Sequence, residues 1–93
     1  MINVAIVDDH ALVRTGLRQF LSEETDLRVL AEAASGREAI DLVRLQPDLD
    51  VLILDLSMPG QSGLDALAMI RAKAPDLAIL ILSGFPEAAA EDQ

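Results

Sequence analysis

The sequence predicts an α/β fold, a parallel sheet with helices packed on both of its faces. The first observation behind this is an alternation. Four short strand-like runs, residues 2–7, 28–34, 51–54 and 77–82, are separated by segments in which apolar residues return at helical spacing. The second is the character of the runs. The first, third and fourth are almost wholly apolar and rich in Ile, Val and Leu, as in strands buried on both faces. Parallel neighbours need crossovers, which are right-handed, so a βαβαβαβ order reads as one sheet of this kind. The third is where two of the runs stop: one on Asp8-Asp9 and one on Asp55, at the carboxyl ends of strands, where open α/β sheets hold their ligands.

Taken in order, residues 2–7 form a first strand ending in Asp8-Asp9-His10. From Ala11 to about Glu23 the period becomes helical, with Val13, Leu17, Phe20 and Leu21 on one face and Arg14, Arg18 and Gln19 mostly on another. Residues 28–34 read as a weaker second strand, with Val29, Ala31 and Ala33 alternating against Leu30 and Glu32. Ser35 and Glu38 have the spacing of a capping box and open a second helix, which buries Ala39, Ile40 and Val43 and is stopped by Pro47. The run 51–54 follows, and Pro59-Gly60 marks the turn out of it. A third helix over residues 63–73 sets Leu64, Leu67, Ala68 and the stem of Arg71 at helical spacing, and Pro75 closes it. The last strand ends at Ser83-Gly84. Pro86 and the alanines after Glu87 suit the opening turn or two of a fourth helix.

Ninety-three residues suggest one domain, and 52% apolar content is ample for a core, which must be aliphatic because Phe20 and Phe85 are the only aromatics. No cysteine is present, so neither a disulfide framework nor a thiolate metal site exists. The sequence carries no apolar stretch of membrane-span length and no signal-peptide start, which fits a cytoplasmic protein without membrane contact. A net charge of −9 with scattered basic residues opposes direct nucleic-acid binding.

If the first strand lies between the second and third, Asp8, Asp9 and Asp55 converge at the point where strand order reverses. Three neighbouring carboxylates repel one another unless a cation sits among them. An oxygen-only set suggests a hard divalent ion, with Mg²⁺ the default. Such an ion would neutralise a phosphoryl donor and leave one carboxylate as a nucleophile, and Ser83 offers a hydroxyl at a neighbouring strand end. The plainer alternative is that these acids terminate strands and cap helices. His10 reads as a solvent-facing or capping residue, Met58 as loop packing, Met1 and Met69 as ordinary aliphatic filling, and Glu23-Glu24 as helix-end surface.

Val7-Asp8-Asp9-His10, Leu54-Asp55-Leu56-Ser57-Met58-Pro59-Gly60, Ser62-Gly63-Leu64 and Leu82-Ser83 stand in the order and spacing of a known family. The sequence resembles the receiver domain of bacterial two-component response regulators. Within that family it is similar to the NarL/FixJ-like subfamily, whose members carry a LuxR-type helix-turn-helix output domain. The resemblance implies a flavodoxin-like, doubly wound parallel sheet of order 2-1-3-4. It also implies a role for each matching residue. Asp55 is the phospho-acceptor. Asp9 ligates Mg²⁺ directly and Asp8 largely through water, with Asp55 and the backbone carbonyl of Ser57 completing the protein ligands. Ser83 is the switch hydroxyl. The phosphodonor is a sensor histidine kinase or a small acyl phosphate, and DNA is reached only through an output domain absent from this chain.

The family continues with a fourth helix, a fifth strand bearing a lysine followed by proline, and a fifth helix. The sequence stops before these, so residues 1–93 are expected to be an incomplete, C-terminally truncated receiver domain. Lys73, its one lysine, falls in the third helix and cannot supply the family's cation. Two functional classes therefore stay open. One is a phosphorylatable signalling switch, not an enzyme beyond its own phosphorylation and dephosphorylation. The other is a receiver scaffold acting only as an interaction module, self-associating through an exposed fourth strand or by element exchange. A flavodoxin-like nucleotide or flavin binder is disfavoured by the lack of a glycine-rich phosphate loop and of stacking aromatics.

Overall fold

The computed structural model describes residues 1–57 and 63–82. Met58, Pro59, Gly60, Ser62, Ser83 and the tail from Phe85 lie outside the described residues, and with them the turn, the switch hydroxyl and the fourth-helix expectations. The described chain runs β1 (Ile2–Val7), α1 (Ala11–Ser22), β2 (Leu27–Ala33), α2 (Gly36–Leu45), β3 (Val51–Asp55), α3 (Gly63–Lys73) and β4 (Ala78–Leu82). All strand pairs are parallel, in the order β2-β1-β3-β4. β1 therefore lies between β2 and β3, as the convergence of the carboxylates requires.

The pleat sends alternate residues of each strand to opposite faces. On one face Ala5, Val7, Leu52 and Leu54 form the larger core with Ala39 and Leu42 of α2 and with Ala66 and Ile70 of α3. On the other, Val4, Ile6 and Ile53 form a smaller core under Leu17 and Leu21 of α1. α2 starts as expected: the Ser35 hydroxyl accepts the Glu38 N–H at 3.1 Å, while Glu38 Oε1 accepts the Ala34 N–H at 2.9 Å. Leu42 joins Ala39 as its most buried side chain, with Ile40 and Val43 packed around them.

Three details of the sequence reading are corrected. Between β1 and β2 the register slips after Val4, so Val4 pairs with Val29 but Ala5 with Ala31, and Leu30 is the extra residue of a bulge in β2. The slip divides the expected stripe: Val29 packs on the smaller core, Ala31 and Ala33 on the larger. In α1 the inward stripe is Arg14, Leu17 and Leu21, whereas Val13 and Phe20 face out, Phe20 at 67% exposure. Arg14 turns inward because its guanidinium has partners there: Nη1 donates to the Asp8 carbonyl at 2.6 Å, and Nε pairs with Glu32 at 3.3 Å. In α3 the buried face is Gly63, Ala66 and Ile70 with Leu67 beside it, and Leu64 is exposed. Gly63 sets that phase, since a Cβ there would lie 2.5 Å from the Leu56 Cα, and only a glycine admits so close a backbone approach.

Candidate functional site

β1 and β3 are adjacent and parallel, with Val7 paired to Leu54. The residues that follow these two, Asp8 and Asp55, therefore stand side by side at the carboxyl end of the sheet. Both are buried, at 4% exposure. Each is fixed by the same local device. Asp8 Oδ1 accepts the His10 N–H at 2.8 Å, and Asp55 Oδ1 accepts the Ser57 N–H at 2.9 Å, a side chain bonding the backbone two residues on. The chain around Asp8 is held further by its N–H donating to the Ala33 carbonyl at 3.1 Å and by Arg14 on its own carbonyl. Leu56 N–H donates to the Leu82 carbonyl at 3.3 Å, tying the turn after β3 to the end of β4.

Asp9 completes the acidic set. One ligating atom each from Asp8, Asp9, His10 and Asp55 lie within 4.8 Å of one another. Asp9 Oδ1 is withdrawn from solvent and has no hydrogen-bond partner. His10 Nδ1 is 3.0 Å from this oxygen and 3.0 Å from Asp8 Oδ1, but only the contact to Asp8 has hydrogen-bond geometry. The hydrogen bond that the ring donates to Asp8, reinforced by the charges of Asp9, Asp8 and Asp55, raises the His10 pKa above its ordinary 6.5 against a smaller opposing desolvation.

Thus the pocket holds three carboxylates, and Asp9 Oδ1, withdrawn from solvent, has the His10 ring 3.0 Å away but no hydrogen bond. Three carboxylates so close are the donor set of a hard divalent cation, and a buried carboxylate oxygen without a hydrogen bond is costly unless positive charge meets it. The residues present fit Mg²⁺. Asp8, Asp9 and Asp55 converge as expected from the sequence, and Ser57 lies at the rim, joined to Asp55 through its N–H. Lys73 lies at the opposite end of the sheet, in a cleft with Asp50 and Asp76. Two members of the site escaped the sequence reading. His10 occupies the N-cap position of α1 but makes no capping bond, its ring turning to the carboxylates instead. Arg14, one turn on, clamps the β1–α1 connection. The sole signal for either was closeness in sequence to Asp8-Asp9.

Residues 4–92 match the response regulator receiver domain family. The oxygen regulatory protein NreC of Staphylococcus epidermidis is 51% identical over 85 residues, which cover 90% of this chain and 38% of that protein. The chain thus spans under two fifths of the length of this relative. Among solved structures, a CheX–CheY–BeF₃–Mg²⁺ complex from Borrelia burgdorferi superposes with a TM-score of 0.86 at 27% identity, covering 94% of this chain and 65% of the other. A LuxR-family two-component response regulator from Aurantimonas superposes with a TM-score of 0.82 at 35% identity, covering 89% and 59%.

Proposed function

The chain belongs to the response regulator receiver domain family, and from that premise we propose that it is a phosphorylatable switch with Asp55 as phospho-acceptor. The observation that carries this reading is the convergence of Asp8, Asp9 and Asp55 at adjacent strand ends, with Asp9 Oδ1, which accepts no hydrogen bond, among them. Asp8, Asp9, Asp55 and the backbone carbonyl of Ser57 are the residues that would hold Mg²⁺. When bound, the ion offsets the charge of the carboxylates and of a phosphoryl donor. Asp55 supplies the nucleophile. A carboxylate oxygen forms the new O–P bond as the bond from phosphorus to the donor breaks, and the donor departs with the electron pair. The Ser57 N–H on Oδ1 orients the carboxylate for that approach. Ser83 is the hydroxyl that meets the phosphoryl group and biases a two-state equilibrium.

In this reading the donor is a sensor histidine kinase or an acyl phosphate. The protein is a cytoplasmic signalling domain, and residues 1–93 are the receiver part of a longer regulator. Its output is a LuxR-type DNA-binding domain that controls transcription, in keeping with the LuxR-family neighbour of the same fold. The test is to incubate the chain with Mg²⁺ and an acyl phosphate, or with beryllofluoride. Intact mass should rise by one phosphoryl group, and beryllofluoride should change the spectrum of amides around the pocket. Asp55→Asn should abolish both. An equal response in the variant refutes the assignment.

One further observation favours association between two copies of the chain. β4 has β3 as its one strand neighbour among the described residues, and it exposes Leu80 and Ile81 on opposite faces. Beside it, Leu64, Leu67, Ala68, Arg71, Ile79 and Ile81 line an open groove of about 360 Å³. An apolar edge strand with an apolar groove next to it suits pairing with a second β4. Size-exclusion chromatography with light scattering should give a dimer at micromolar concentration, and a folded monomer there refutes it.

A further inference from the structure

We propose that Arg14 is a positioning residue of the acidic pocket: by holding the Asp8 carbonyl it sets the direction in which Asp9 is presented to a divalent cation. This role rests on the Mg²⁺ reading of the pocket given above, and it falls to a residue outside the ligand set.

The Asp8 carbonyl belongs to the peptide bond that joins Asp8 to Asp9. That unit is planar, so holding its oxygen restrains the whole plane up to the Asp9 Cα. The ladder between β1 and β2 closes at Asp8, whose N–H donates to the Ala33 carbonyl at 3.1 Å. Beyond Ala33 the chain leaves β2 for the Ser35 cap of α2. One more step of a parallel ladder would give the Asp8 carbonyl a backbone N–H from that strand. Arg14 Nη1 donates to it instead, at 2.6 Å.

Asp9 depends on this plane more than the other two carboxylates do. The side chains of Asp8 and Asp55 each accept a backbone N–H two residues on. Asp9 Oδ1 accepts no hydrogen bond, and the group beside it is the exposed His10 ring. The backbone therefore aims this side chain. The guanidinium that steadies the backbone is itself anchored, since Nε pairs with Glu32 of β2, which also pairs with Arg18 one turn along α1. Arg14, with 21% of its side chain exposed, is a brace from β2 to the turn that carries Asp9. A planar fork serves a carbonyl and a carboxylate at once, which a single ammonium on a flexible stem does less well.

Bracing and charge act on a bound cation with opposite signs. The positive charge of Arg14 by itself repels Mg²⁺, so deleting it should tighten binding. Deleting the brace should weaken binding. The sign of the change separates the two.

The experiment is calorimetric titration of Mg²⁺ into the wild-type chain, Arg14→Gln and Arg18→Gln, well below their melting temperatures, with circular dichroism to check each fold. Arg14→Gln should weaken Mg²⁺ binding roughly tenfold or more, the scale on which metal affinity responds to loss of groups that orient ligands. Arg18→Gln loses a pairing with the same Glu32 but leaves the Asp8 carbonyl held, so its affinity should stay unchanged or rise slightly. In the metal-free chain the Asp9 amide resonance should shift in Arg14→Gln and keep its place in Arg18→Gln. Should Arg14→Gln fail to fold, Arg14→Lys replaces it, keeping the charge but not the fork, with a smaller loss of the same sign. An unchanged or tightened Mg²⁺ affinity in the Arg14 variant overturns the proposal, and so does an equal loss in both variants. Absence of Mg²⁺ binding by the wild-type chain overturns the cation reading and the positioning role together, so the two failures are distinguishable.

Discussion

β3 and β4 are written in nearly the same alphabet, Val-Leu-Ile-Leu-Asp against Ala-Ile-Leu-Ile-Leu, and they pair residue for residue from Val51–Ala78 to Asp55–Leu82. Their environments differ sharply. Leu52, Ile53 and Leu54 are buried, between β1 and β4 and under helices on both faces, whereas Leu80 is 56% exposed and Ile81 is also exposed. The comparison teaches that a continuous apolar run specifies a strand suited to burial on both sides. Whether that burial is achieved depends on which strands flank it, which is not a local property of the run.

The largest expected effect probes this contrast directly. Leu54 is fully buried, so Leu54→Ala should cost roughly 2–5 kcal/mol through lost burial and a residual cavity. Leu80→Ala, measured at a concentration where the chain is monomeric, should change stability by no more than about 0.5 kcal/mol. Urea denaturation of the two variants side by side checks the difference, and a comparable loss for both would break the distinction between the strands.

The strand ends differ as well. β3 finishes on Asp55 and its partner β4 on Leu82. Mg²⁺ that binds the folded pocket alone should therefore stabilise the chain through β3, by about 2.7 kcal/mol when free Mg²⁺ is about a hundred times its dissociation constant. Asp55→Asn should lose most of that gain. In chelator it should melt no lower than the wild-type chain, because it removes one of three neighbouring carboxylates. Thermal melts with Mg²⁺ and with chelator measure both outcomes.

The turn after β3 offers a smaller effect. Gly63 lets α3 close onto Leu56, and thereby sets Ala66 and Ile70 over Leu52 and Leu54. Gly63→Ala places a Cβ against backbone and not against a side chain that can give way, so it should cost about 1–3 kcal/mol, the range of an overpacked core. Gly16, where a Cβ meets nothing within 4 Å, is the control: Gly16→Ala should be neutral or stabilising by up to about 1 kcal/mol, as expected for a helix interior.

The elements were legible in the sequence to within a residue or so, because strand runs, the Ser35 cap and Pro47 are local signals. The phases of α1 and α3 were not. In α3, Leu64, Ala66, Leu67, Ala68, Met69 and Ile70 place apolar groups nearly all round, so periodicity has no face to choose, and the Gly63–Leu56 contact chooses it. In α1 the inward place taken by Arg14 depends on Glu32 and the Asp8 carbonyl, which are close only in the fold. The bulge at Leu30 had no signal, since Leu30 is as apolar as its neighbours. The three carboxylates were legible as strand ends, but their convergence needed β1 between β2 and β3, an order implied by resemblance and then found in the fold. His10 reads from the sequence as a solvent-facing or capping residue; its side chain is 64% exposed and makes no cap, and the turn of its ring to the carboxylates is set by local geometry that the sequence does not display.

The two edges of the sheet, β2 and β4, refine the comparison with β3. β2 is also an edge among the described strands, yet it carries Arg28 and Glu32, is bulged at Leu30, and has α1 and α2 packed against it. Glu32 pairs with Arg14 and Arg18, so this edge is charged and locally irregular, features that discourage pairing with another chain. β4 has no charged residue and no register shift. If that is what leaves it open to a second copy, giving β4 a charge of the β2 kind should close it. Leu80→Lys puts an ammonium on a side chain that is already more than half exposed, so monomer stability should move by no more than about 0.5 kcal/mol. Dimerisation should nevertheless be lost, because two β4 strands paired antiparallel would bring their lysines near one another within an apolar contact. Light scattering across a dilution series distinguishes the outcomes: a dimer that survives Leu80→Lys means that association does not run through this edge, whatever its apolar character.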